Sequence, residues 1–117
     1  MNITRKFRRA SSGLRRVLTT EGSIRIQLGI AVVVLTAAGW LGLRRIEFIV
    51  LLLVVFSVLV LEGINTILER VIDLVEPRYR EVVREIKDAL AGLVLLAALG
   101  AVVIGAYIFW PHLTMRF

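Results

Sequence analysis

Three long apolar stretches constrain this chain more than anything else in it. Ala89 to Trp110 is 22 residues without a charged side chain. Ile24 to Leu43 is 20 residues, broken only near its start by Arg25 and Gln27. The third stretch begins at Ile46 and is uninterrupted from Phe48 to Leu61. It then continues in helical period through Ile64, Ile67, Leu68, Val71 and Ile72. A helix that crosses a bilayer needs about 20 mostly apolar residues. A buried core helix would explain one such stretch, but 117 residues cannot supply soluble layers to bury three. The expected fold class is an all-α membrane protein with three transmembrane helices in a single domain.

The charge balance fits that class and excludes others. With 15 Lys+Arg against 9 Asp+Glu, the formal net charge is +6, and strong basicity first suggests nucleic acid. The mean hydropathy of +0.85 is too high for a soluble basic domain, and no aromatic platform accompanies the arginines. Nucleic acid is therefore not expected as a partner, and disorder is excluded by the same hydropathy. There is no cysteine, hence no disulfide framework and no thiolate metal site. The basic segment before the first apolar stretch exceeds twenty residues, which argues against a cleaved signal peptide.

Lys and Arg near membrane ends set orientation. Seven lie on the N-terminal flank (Arg5, Lys6, Arg8, Arg9, Arg15, Arg16 and Arg25), and five lie between the second and third stretches (Arg70, Arg78, Arg80, Arg84 and Lys87). Only Arg44 and Arg45 occupy the first loop, and only Arg116 the tail. The expectation is an inner (plasma) membrane protein with a cytoplasmic N-terminus and an outward C-terminus. Ile3, Phe7, Ala10, Leu14, Val17 and Leu18 recur at helical spacing with arginines on the other faces, the pattern of an amphipathic surface helix. The expected segments are a surface helix over 1–22 and spanning helices within 24–43, 46–75 and 79–110. Ala97, Ala101 and Gly105, at steps of four, suit close helix packing. Pro77 is expected to start the third spanning helix and Pro111 to stop it, with Trp40, Tyr107 and Trp110 at the outer interface.

The chemically informative stretch lies late in the second span. Taking Glu62 as origin and about 100° per residue, Asn65, Thr66, Glu69, Asp73 and Glu76 all fall within roughly 60° of it. Ile64, Leu68, Val71 and Val75 take the opposite face. Because this helix continues a span, its polar stripe must face protein or a cavity. Ile46 to Glu62 is about 24 Å of helix against a hydrocarbon core of about 30 Å, so Glu62 is expected inside the membrane near its cytoplasmic edge. A charged residue there carries an insertion penalty of up to roughly 2.5–3.5 kcal/mol, which points to a functional role. Glu21 and Arg25 precede span one, and Lys87 and Asp88 precede span three, so all three helices bring charge to one level. The only histidine, His112, is on the other side, which excludes a zinc site and a Ser-His or Cys-His nucleophile. No Gly-rich phosphate loop is present. Carboxylates without imidazoles suit Mg²⁺ held with substrate phosphates, and such parts serve phosphoryl transfer to a lipid hydroxyl.

At these residues the chain resembles the prokaryotic diacylglycerol kinase family, small integral-membrane lipid kinases that include undecaprenol kinases. The family pattern Glu-x-x-Asn-Ser/Thr-Ala-x-Glu, then Asp, then Lys-Asp before small residues, is matched by Glu62, Asn65, Thr66, Glu69, Asp73 and Lys87-Asp88. The upstream element Glu-x-x-x-Arg is matched by Glu21 and Arg25. Ile67 replaces the family's Ala, Leu90 and Leu93 replace small residues, and Ser23 and Ile24 stand where Asn and Phe are common. The resemblance implies a homotrimer with active sites shared between subunits, using ATP and Mg²⁺ to phosphorylate diacylglycerol or undecaprenol. It implies Glu62 as general base, with Asn65 supporting it and the phosphoryl group. It implies Glu21 and Glu69 as metal carboxylates, and Lys87, Asp88 and Arg25 as groups holding the nucleotide. Asp73 and Glu76 receive no firm role. Two other classes fit the sequence less well. An ion-coupled transporter wants a midplane carboxylate at a repeat interface, and no internal repeat is visible. A non-catalytic assembly protein would leave three converging charged clusters unexplained.

Overall fold

The computed structural model describes residues 2–20 and 22–116. It is helical throughout: α1 (Ile3–Thr20), α2 (Gly22–Leu41), α3 (Arg45–Val75) and α4 (Glu81–Arg116). Three of these, α2, α3 and α4, are long and apolar enough to cross a membrane. Most of their large apolar side chains are exposed, among them Val32, Phe56, Leu96 and Val102. In water this surface would be untenable; in lipid it is the solvent-facing side. The chain is a membrane protein.

What packing exists is concentrated along one stripe of α2. Ile24, Ala31 and Ala38 are buried at intervals of seven, a repeat that keeps one seam against neighbouring helices. Near the end of α2 Ala38 meets Leu51 of α3 and Ile108 of α4, with Val34, Leu35, Phe48 and Phe109 packed around them. The turn from α2 into α3 is tight because Gly42 adopts φ +70°, which lets the Leu43 N–H reach the Ala38 carbonyl at 3.3 Å. This is the six-to-one closure typical of a glycine-terminated helix. Glu47, in the first turn of α3, accepts the Arg44 backbone N–H at 3.0 Å, and its Oε1 lies 2.9 Å from His112 Nε2 of α4. The ends of all three spanning helices on this side therefore lie at one level.

With these ends level, the differences in length appear at the other end. Helix α2 is about 30 Å long, α3 about 46 Å and α4 about 54 Å at 1.5 Å per residue. The last turns of α3 and the first turns of α4 thus project beyond α2 on the side that carries Glu69, Asp73 and Lys87. Glu76 closes α3 with an N–H bond to the Ile72 carbonyl at 2.8 Å, and its carboxylate binds Arg78 at 3.1 Å and Arg80 at 3.6 Å.

Two expectations about proline are corrected. Pro111 lies inside α4, which runs on to Arg116. The ring removes one backbone bond, but Thr114 Oγ1 donates to the carbonyls of Trp110 and Pro111 at 3.1 Å, and Glu47 pins His112, so the helix continues. Pro77 sits in the connecting segment four residues before α4, where the ion pairs of Glu76 order the backbone. The small-residue stripe also differs from expectation. A Cβ added at Gly105 would meet nothing within 4 Å, and Ala101 and Gly105 border an open apolar cavity of about 410 Å³ between α2, α3 and α4.

Candidate active site

The polar stripe of α3 turns inward, as its periodicity requires. Glu62, Asn65, Thr66 and Glu69 are partly buried, whereas Ile64, Ile67, Leu68 and Val71 on the other side are exposed. The start of α2 faces this stripe. Ser23 Oγ donates to Glu62 Oε1 at 3.0 Å, a contact between residues 39 apart in the chain that fixes the carboxylate at the level where α2 begins. Thr66 Oγ1 returns to the Glu62 backbone carbonyl at 3.1 Å, a local bond that orders its own rotamer.

Further along α3, about 4 Å beyond Glu62 for Asn65 and about 10 Å for Glu69, Asn65 Nδ2 donates to Glu69 Oε1 at 3.4 Å. The expected partner of Asn65 was Glu62; within the chain its amide meets Glu69 and Ser23 takes the place beside Glu62. Asn65 Oδ1 is buried without any hydrogen-bond partner. A buried amide oxygen left unmatched costs about 1–3 kcal/mol. The amide NH₂ is taken up by Glu69 Oε1, which leaves Asn65 Oδ1 and the Glu69 carboxylate as the hard oxygens of the pair. That donor set fits Mg²⁺, which takes one or two protein oxygens and completes its shell with phosphates and water. Among the described residues no three His, Asp or Glu side chains converge into a protein-only cage. Glu21, the other expected metal carboxylate, lies outside the described residues.

Still further out, Lys87 Nζ of α4 donates to Asp73 Oδ1 of α3 at 2.6 Å. The expected neighbour of Lys87 was Asp88, which is exposed, as is Arg25; neither is drawn to Glu62 or Glu69 within the chain. The structure thus joins Glu62 to Ser23, Asn65 to Glu69, and Lys87 to Asp73, in order of increasing distance from the Glu47–His112 contact. Ser23 was noted in the sequence only as a departure from the family's Asn. Its position on α2, one turn before Gln27, was the available signal. Gln27 borders the apolar cavity, and its Oε1 is also buried without a partner.

Three long apolar helices with a graded row of carboxylates toward one end define a class of small integral-membrane proteins with an acidic site at the end of the bundle. Comparison with known proteins makes the class specific. The model of the family described as prokaryotic diacylglycerol kinase matches residues 8–109. The chain is 41% identical over 113 residues to a diacylglycerol kinase of Synechocystis sp., covering 96% of this chain and 65% of that relative's length. It is 29% identical over 109 residues to the undecaprenol kinase of Bacillus subtilis (93% of this chain, 89% of the relative). It is 32% identical over 101 residues to the diacylglycerol kinase of Escherichia coli (86% and 82%). This chain belongs to the prokaryotic diacylglycerol kinase family.

Proposed function

We propose that the protein is an ATP- and Mg²⁺-dependent lipid kinase that transfers the γ-phosphoryl group of ATP to the hydroxyl of diacylglycerol or undecaprenol. The observation that carries this reading is a carboxylate, Glu62, held by Ser23 of α2 at 3.0 Å on a helix apolar enough to span a membrane; in the proposed orientation it lies near the cytoplasmic rim. A lipid alcohol presents its hydroxyl at that depth, and ATP approaches from the water beyond it. Two of the three named relatives are diacylglycerol kinases and one is an undecaprenol kinase.

In the proposed reaction the Glu62 carboxylate takes the hydroxyl proton as the lipid oxygen attacks the γ-phosphorus. The bond from that phosphorus to the β–γ bridging oxygen breaks, and ADP leaves with the electron pair. Such a transfer depends mainly on positioning and charge neutralisation. Glu69 with Asn65 Oδ1, and Glu21, would hold Mg²⁺, which when bound neutralises triphosphate charge. Lys87 would exchange Asp73 for a phosphate oxygen, and Asp88 and Arg25 would contact the nucleotide. Asn65 also keeps the Glu69 carboxylate aimed along the stripe.

The proposal includes a homotrimer with sites completed by neighbouring subunits, a surface-lying α1, and a cytoplasmic N-terminus in the inner (plasma) membrane. The test is a kinase assay on reconstituted protein with Mg²⁺, ATP and each lipid alcohol in parallel. A phosphorylated lipid is the expected product, and Glu62→Gln should lower its rate by roughly 10²–10⁴-fold without altering the helical content. Full activity in that variant would overturn the assigned role.

A further inference from the structure

Helix α1 is the element the proposed reaction leaves unused. Its 18 residues contain Arg5, Lys6, Arg8, Arg9, Arg15 and Arg16 and no carboxylate. At about 100° per residue, Arg5, Arg8, Arg9 and Arg16 share roughly 100° of its circumference, with Ile3, Phe7, Ala10 and Leu14 on the opposite side. Arg8, Arg9, Ser12, Gly13 and Arg16 border one open cleft along the cationic side. On the other side Ile3, Phe7 and Leu14 are 82%, 75% and 60% exposed. Among the described residues of α1, only Val17 and Leu18 near its end are half-buried. One residue separates α1 from α2, so the helix is tethered directly to a membrane span.

We propose that α1 recognises anionic phospholipid headgroups of the leaflet that α2 enters, its apolar side sinking to the acyl boundary and its arginines gripping lipid phosphates. This inference rests on the reading of α1 as a surface helix and adds a lipid preference to it. The charge complementarity is one-sided, with six cations and no acid. The occupant must also cover Ile3, Phe7 and Leu14, and a bilayer covers both sides of the helix at once. A nucleic acid would cover only the arginines, and the one aromatic residue of α1, Phe7, lies on the wrong side to stack on a base. Each Lys or Arg held at an anionic surface favours the bound state roughly fivefold. Four arginines therefore shift the position of the helix by more than a hundredfold between neutral and anionic vesicles.

The absence of cysteine permits a direct test on the full chain. Ala10→Cys carries a polarity-sensitive fluorophore on the apolar side, and the protein is reconstituted in phosphatidylcholine vesicles with or without about one-third phosphatidylglycerol. The expected result is a blue-shifted emission with phosphatidylglycerol that reverts in about 1 M salt, where the screening length falls to about 3 Å. Replacing Arg5, Arg8, Arg9 and Arg16 together with Gln should abolish the response, and replacing them with Lys should keep it. A label at Leu53→Cys in α3 reports that each variant still inserts. Equal, apolar emission in both vesicles would overturn the headgroup preference and leave the surface helix standing. Equal, aqueous emission in both would overturn the surface helix as well. A response that survives the four Gln substitutions, or emission that ignores phosphatidylglycerol but changes with added single-stranded RNA, would overturn the assignment of the arginines to lipid.

Discussion

Ser23 and Glu62 meet across the α2–α3 interface, hydroxyl to carboxylate, at 3.0 Å. The contact ties the depth of the acidic group to the first turn of another span, so the carboxylate cannot slide along the membrane normal independently of α2. Ser23→Ala should therefore reduce turnover without abolishing it. Hydrogen bonds to charged groups contribute about 1.5–3 kcal/mol, so a drop of roughly ten- to a hundredfold in kcat is expected, measured beside Glu62→Gln in the same vesicles.

Lys87 lies against Asp73 at 2.6 Å, with side chains 28% and 60% exposed. A pair this accessible contributes at most about 1 kcal/mol to stability. Lys87→Met should therefore leave thermal unfolding within a few degrees of the wild type while raising KM for ATP. Asp73→Asn should change KM for ATP less than Lys87→Met does. A large loss of Tm in Lys87→Met, with KM unchanged, would make the lysine structural.

Glu47 and His112 hold the start of α3 to the last turns of α4, 2.9 Å apart. His112→Ala and Glu47→Gln should each lower stability in detergent, and the double variant should lose less than the sum, with a coupling of about 0.5–3 kcal/mol. Thermal unfolding followed by circular dichroism reads this directly. The kinase rate at moderate temperature should barely move, because the contact lies about 22 Å along α3 from Glu62.

Gln27 carries a buried amide oxygen with no partner beside an apolar cavity. Gln27→Leu is close in volume and removes the unmatched group, so stability should rise by about 1–3 kcal/mol. Destabilisation would mean that the amide is satisfied in the assembled protein.

The three spans were legible because the bilayer imposes a simple rule: a run of 22 uncharged residues such as Ala89–Trp110 has few alternatives. The inward turn of Glu62, Asn65 and Glu69 was legible from helical period alone. Contacts made at long range were not. Nothing in the local sequence announces that His112 reaches Glu47, 65 residues away, and without that anchor Pro111 reads as a terminus rather than a position within α4. Lys87 was read with its neighbour Asp88, because adjacency is visible in a sequence and the fold that brings Asp73 across a loop is not. The open space beside Gly105 was unreadable for a related reason. Small residues announce that backbones can approach, but whether they do depends on which helices are present to fill the gap.

Because α2, α3 and α4 end level beside the Glu47–His112 contact while their lengths differ, the whole inequality is carried by the opposite end. Helices fastened flush at one end leave a ledge at the other, and Glu69, Asp73 and Lys87 stand on that ledge. The polar groups are thus set apart from the packed seam by helix length alone.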